Sequence, residues 1–191
     1  TNETKNPMKE TEEKVIVQHL VRQRTFFASN ETKSISFRLE QLQKLKEVIL
    51  TYQERIQEAL WDDLHKSPEE AYLTEISIVL SEIDNHIKHL KRWAKPKRVT
   101  TPLYLRPSSS KIIYEPLGIA LIVAPWNYPF QLAIAPLIGA IAAGNCAVIK
   151  PSEFTPNTSN LLCKMIQEIF PPEYVNVVQG DAKASKALLE E

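Results

Sequence analysis

Apolar residues recur at steps of three or four between residues 35 and 60: Ile35, Leu39, Leu42, Leu45, Ile49, Tyr52, Ile56 and Leu60. That period lines one helix face, so the stretch reads as a single amphipathic helix. The run Ser67, Pro68, Glu69, Glu70 follows. Ser67 is placed to cap, Pro68 suits a first helical turn, and Glu70 can close a capping box. The helix beyond carries Leu73, Ile76, Leu80, Ile83, Ile87 and Leu90 on one side, and a shorter helix over 12–28 precedes both.

The rhythm changes near residue 96, and all four glycines lie beyond it. Residues 99–106 and 111–115 are rich in β-branched and aromatic side chains, with "PSSS" between them. That pattern predicts a hairpin, and a two-stranded hairpin is marginal in water without a partner strand. From Leu117 the chain alternates: strand 117–124, helix 129–144, strand 146–150, helix 155–170, strand 174–178, and a last helix from Asp181. Gly144 reads as the stop of the first of these helices, and Thr155 as the cap of the second, with Pro156 as its first residue. Alternation of this kind predicts an α/β fold with a parallel sheet and right-handed crossovers.

Composition narrows the picture. The 191 residues carry 43% hydrophobic and 24% charged side chains, with 23 basic residues against 23 acidic ones. That is an ordinary soluble balance, and a net charge of zero favours neither nucleic acid nor an anionic membrane as partner. Two cysteines, Cys146 and Cys163, make neither a disulfide framework nor a zinc pattern, which fits a reducing, cytoplasmic setting. No charge occurs between Pro116 and Ile149, but Pro125, Pro129, Pro136, Asn127 and the Gly144-Asn145 pair interrupt the stretch. A buried α/β core accounts for it better than a membrane segment. The polar opening run shows no apolar signal core.

Ligands of open α/β sheets bind beyond the carboxyl ends of the strands. Three segments fall there: "APWNYP" with Asn127, "KPSE" with Lys150 and Glu153, and Gly180. A lysine and a carboxylate at one strand end suit the hydroxyls of a ribose, or simply face water in a helix-entry loop. Asn127, set between Pro125 and Pro129, is either a cap for the next helix or a rigid donor to an oxygen that turns negative during reaction. His86 and His89 share a helix face without the partners a metal site needs, and buried cysteines usually behave as small hydrophobes. Neither a Gly-x-Gly-x-x-Gly fingerprint nor a P-loop is present.

Taken together, "EPLGIALIVAPWNYPFQLAIAPLIGAIAAGNCAVIKPSE" resembles the start of the cofactor domain of NAD(P)-dependent aldehyde dehydrogenases. "FRLEQLQKLKEVI" and "DLHKSPEEAYLTEI" resemble the class 3, fatty-aldehyde-type branch. The resemblance implies a Rossmann-like cofactor domain that needs no glycine fingerprint. It implies a helical part over 1–97, an oligomerisation arm over 98–115 and the first half of the nucleotide-binding domain over 116–191. It implies oxidation of an aldehyde to a carboxylic acid through a cysteine thiohemiacetal, with a homodimer as the assembly. By this resemblance Asn127 holds the oxyanion, Lys150 and Glu153 grip the adenosine ribose, Ala124, Pro125 and Trp126 wall the cofactor, and Gly180 admits the adenosine. Glu153 would repel a 2′-phosphate, so NAD is the expected cofactor, with NADP possible. No metal site is implied. The catalytic cysteine, the general-base glutamate and the phosphate loop are expected beyond Glu191, so the chain is expected to be the N-terminal portion of an enzyme and inactive alone. The alternatives are a non-catalytic nucleotide-binding or dimerisation module, and an acylating relative.

Overall fold

The computed structural model describes residues 10–191, so most of the polar opening run lies outside the described residues. Helix α1 spans Glu13–Ala28. Helix α2 spans Ile35–Thr51, with the Ser34 hydroxyl accepting from the Phe37 N–H, and α3 spans Gln53–Leu64. The single helix expected over 35–60 is therefore two. Tyr52 leaves helical geometry at φ −97° and ψ 6°, yet Leu42, Leu45, Ile49, Ile56 and Leu60 all stay fully buried. A break that preserves the apolar spacing is invisible to periodicity.

Helix α4, Pro68–Ala71, starts on the predicted cap: the Ser67 hydroxyl accepts from the Glu70 N–H at 3.2 Å. Five residues of π-helix, Tyr72–Ile76, connect it to α5, Ser77–Trp93. This wider turn corrects one expectation. Leu73, read as part of the buried face, is 65% exposed, while Glu75 is completely buried. One extra residue in a turn rotates everything before it by about 100° relative to a regular helix.

The hairpin is present but shorter than predicted. Strand β1, Lys97–Val99, pairs antiparallel with β2, Ser110–Ile112. Between them Leu103–Leu105 form a 3-10 turn. Pro102 and Pro107 lack the N–H a ladder requires, which keeps the segment between the two strands out of the ladder.

The remaining elements follow the predicted alternation: β3 Ile119–Val123, α6 Gln131–Ala143, β4 Cys146–Lys150, α7 Pro156–Ile169, β5 Val175–Val177 and α8 Ala182–Leu189. The three strands are parallel in the order β3-β4-β5, with Val123 beside Lys150 and Ile149 beside Val177. Every residue of β4 is buried, as a central strand covered on both faces should be. One face packs against α6 and α7, themselves backed by α2, α3 and α5. The other carries α1 and α8, where Ile16, Leu20 and Leu188 meet Val148 and Val178. Gly144 ends α6 as predicted, at φ +88°, and a Cβ there would lie 2.6 Å from the Arg38 guanidinium. That guanidinium donates to the Ala142 carbonyl at 3.2 Å and to the Thr32 carbonyl at 2.8 Å, tying α2 to the end of α6. Among the described residues no helix is long and apolar enough to cross a membrane.

Candidate functional site

The carboxyl ends of β3, β4 and β5 release the three segments singled out above. The Ala124 N–H donates to the Lys150 carbonyl at 3.0 Å, so the first two leave the sheet side by side. Lys150 is 3% exposed, and its ammonium donates to Glu153 Oε2 at 2.6 Å. Burial pushes the Glu153 carboxyl up, but the hydrogen bond and charge of Lys150 outweigh it and leave the group below its ordinary value. Asp181, next to Gly180, lies near enough to push Glu153 the other way. Lys150, Glu153 and the Gly180–Asp181 corner therefore share one electrostatic neighbourhood. Gly180 has φ +153°, and a Cβ on it would meet the Ala184 Cβ at 2.6 Å. The small cavity beside it, about 120 Å³, is lined by Glu10, Thr11 and α8 residues, not by Asn127, Lys150 or Glu153.

Pro125, Trp126, Asn127 and Tyr128 are exposed, between buried Ala124 and buried Pro129. Sequence reasoning left Asn127 as either a helix cap or a free donor. The cap is supplied from elsewhere. Glu75 Oε2 accepts from the Phe130 N–H at 2.9 Å and from the Gln131 N–H at 3.1 Å, which are the first donors of α6. Among the described residues no hydrogen bond occupies the Asn127 carboxamide. Its backbone is nonetheless held: the Lys66 ammonium donates to the Asn127 carbonyl at 2.9 Å and lies 4.0 Å from the Tyr128 ring centroid. Lys66 also donates to Glu75 Oε1 at 2.6 Å, and Glu75 is fully buried.

Asp63 braces the second segment in the same manner. Its carboxylate accepts from the Asn157 N–H at 3.1 Å, the Asn157 side chain at 2.9 Å and the Thr158 N–H at 2.7 Å. Thr155, expected to cap α7, has the right position but makes no side-chain cap. An aspartate from α3 takes the helix N-terminus instead, where negative charge is favoured. The sequence reading missed Asp63, Lys66 and Glu75. The one available signal was a glutamate set beside Ile76 in an otherwise apolar period.

With this geometry in place, the match to known proteins is specific. The model of the aldehyde dehydrogenase family matches residues 8–191. The chain belongs to that family. It is 50% identical over 175 residues to the 4,4'-diaponeurosporen-aldehyde dehydrogenase of Staphylococcus aureus, covering 92% of this chain and 38% of that protein. It is 43% identical over 168 residues to aldehyde dehydrogenase family 3 member I1, chloroplastic, of Arabidopsis thaliana, covering 88% of this chain and 30% of that protein. A solved structure described as the substrate-bound state of Staphylococcus aureus AldH superposes with a TM-score of 0.91 at 49% identity, covering 92% of this chain and 38% of that one. The chain thus spans about a third of the length of these aldehyde dehydrogenases. Those matches agree with the predicted family, its class 3 branch and the partial Rossmann-like fold.

His86 meets Trp93 edge-on and His89 stacks on it, with ring centroids 5.2 and 5.5 Å apart, and the Glu82 and Asn85 carbonyls lie 2.9 Å from the two Nδ1 atoms, placed to accept from them. That is helix-surface packing. Both thiols lie away from the carboxyl ends of the strands. Cys146 opens β4 fully buried, and burial pushes its thiol up to about 12; Cys163 is pushed up for the same reason. A thiol held that high is protonated near neutrality and is a poor nucleophile. Folded protein at pH 8 is therefore expected to leave Cys146 unmodified by iodoacetamide, with alkylation following only on unfolding. Mass spectrometry of the alkylated peptide checks this, and rapid labelling under native conditions contradicts it.

Proposed function

We propose that this chain supplies the nucleotide-gripping edge and the oxyanion donor of an enzyme that oxidises aldehydes to carboxylic acids with a nicotinamide dinucleotide. The reaction balances as aldehyde, NAD(P)+ and water giving acid, NAD(P)H and a proton. The observation that carries the reading is the state of Asn127: an exposed carboxamide, relieved of capping by Glu75, on a backbone gripped by Lys66. When a cysteine thiolate adds to the aldehyde carbon, the carbonyl electron pair moves onto oxygen. Asn127 Nδ2 donates to that oxygen in the thiohemiacetal. An amide is suited to this because it offers a donor and keeps its proton. Neither Cys146 nor Cys163 is the nucleophile. The attacking cysteine and the glutamate that activates water come from parts of the enzyme beyond this chain, and residues 1–191 alone are inactive.

The residues present fit a dinucleotide. Gly180 is assigned to the adenosine side by the family resemblance; its missing Cβ leaves room for the Ala184 Cβ of α8, which a side chain there would meet at 2.6 Å. Lys150 has three donors, one directed at Glu153, and the pair can hold two neighbouring ribose hydroxyls. Ala124, Pro125 and Trp126 form the wall beside the cofactor, where Pro125 and Trp126 are open to contact. The nicotinamide, when bound, accepts the hydride from the aldehyde carbon. Glu153, held ionised by Lys150, repels a 2′-phosphate, so NAD is preferred over NADP.

The hairpin is the dimerisation arm. It presents Leu103 at 78%, Tyr104 at 84% and Tyr114 at 67% exposure, an apolar surface of the kind that marks a protein interface. The setting is cytoplasmic.

In the catalytically complete enzyme, Asn127→Ala is expected to lower kcat/KM for aldehyde by about 10²–10³-fold, read from initial rates of NADH formation; full turnover would remove the oxyanion role. Glu153→Gln is expected to improve kcat/KM with NADP by about tenfold relative to NAD, and an unchanged ratio argues against the ribose assignment. Leu103→Asp combined with Tyr104→Ser is expected to halve the particle mass seen by light scattering, whereas an unaltered mass moves the interface elsewhere.

A further inference from the structure

We propose that the buried Lys66–Glu75 pair is a positioning clamp that sets the direction of the Asn127 amide. This rests on the oxyanion reading of Asn127 given above. The two side chains hold the loop at every turn: Lys66 takes the Asn127 carbonyl at 2.9 Å and sits over the Tyr128 ring at 4.0 Å, and Glu75 takes the Phe130 and Gln131 N–H groups. Their own bond, at 2.6 Å, joins the two halves of that grip. The carbonyl and the side chain of Asn127 diverge from the same Cα. Holding the carbonyl on one side and the following ring on the other therefore fixes the Cα–Cβ direction along which the carboxamide leaves the loop.

A purely structural role accounts for only half of this. Capping α6 needs an acceptor for two N–H groups, which a neutral or local side chain could provide. A buried ion pair adds no assured stability over apolar residues of the same size. The ammonium is aimed at the one residue of the loop with a free amide. The π-turn at Tyr72–Ile76 turns Glu75 inward while Leu73 is left in solvent, and such turns cluster at functional sites. Misplacement of a reacting group by an ångström costs about 10²-fold in rate, which gives a clamp its value. The Lys150–Glu153 loop is braced separately by Asp63, so the clamp should act on the chemical step and leave nucleotide affinity alone.

The test uses the complete enzyme and the variant Lys66→Met/Glu75→Gln. It retains an amide oxygen at the start of α6, leaves no unpaired buried charge, and removes the charged grip on Asn127 together with the Lys66 contacts to Glu75 and the Tyr128 ring. The expected result is a loss of about ten- to a hundredfold in kcat/KM for aldehyde, with KM for NAD changed by less than about twofold. Adding Asn127→Ala should cause no loss beyond that of Asn127→Ala alone, because both changes remove the same interaction. A folded variant with undiminished kcat/KM overturns the clamp, as do losses that multiply with Asn127→Ala; either outcome leaves the oxyanion reading standing. Full activity of Asn127→Ala alone overturns that reading instead. Should the neutral pair fail to fold, Lys66→Arg keeps a cation opposite Glu75 but displaces its donors, and is judged by the same three numbers.

Discussion

The first turn of a helix leaves backbone N–H groups without intrahelical partners, and a buried helix start must find them acceptors. Helix α6 begins in the core, directly after the loop that carries Asn127, and Phe130 is fully buried. Its first donors are met by the Glu75 carboxylate from the helical layer. A carboxylate in that position needs a counter-charge, and Lys66 provides it. The ammonium in turn reaches the Asn127 carbonyl. One capping requirement thus leads from backbone chemistry to a charge pair, and from the charge pair to the placement of an exposed amide.

The same segment repeats the solution one strand over. Asp63, three residues before Lys66, caps α7 beyond the Lys150–Glu153 loop. Residues 63–75 therefore brace both loops that leave the adjacent ends of β3 and β4. This is why the N-terminal helices belong to the site although the sequence reading assigned none of their side chains a role in it. A single apolar cluster runs from Leu42 and Ile83 through Ile138 to Ile149 and Val177, so these braces stand on packed, rigid ground.

Much of the architecture was legible because periodicity reports burial directly. The parallel strands, the Ser67 cap, the Gly144 stop and the alternation after Leu117 all follow from spacing and from glycine and proline chemistry. Where spacing misled, the cause was local. Tyr52 divides a helix without disturbing its apolar period, and the π-turn moves Leu73 outward and Glu75 inward by a shift that a 3.6-residue template cannot represent. In the site, the spacing of Lys150 and Glu153 put both at one strand end but left open whether they face water or a ribose; their ion pair is seen only in the structure. Asn127 could not be assigned, since its two readings differ only in whether another residue caps α6. The residue that caps α6 in its place, Glu75, lies 52 positions earlier in the chain, and no local pattern connects the two.

That separation suggests why α6 is capped from a distance. A loop asparagine at a helix entry is chemically drawn to the helix's own N–H groups, and a local cap would consume the donor geometry that an oxyanion requires. Supplying the acceptor from another element frees the side chain while keeping the backbone fixed. The exposed groups at these strand ends are Trp126, Asn127 and, in part, Glu153, while their hydrogen-bonding and charge partners Glu75, Lys66 and Lys150 are buried. Exposure without support would give a mobile donor, and support without exposure a cap. The strand ends of this chain hold the two functions apart by assigning them to different residues.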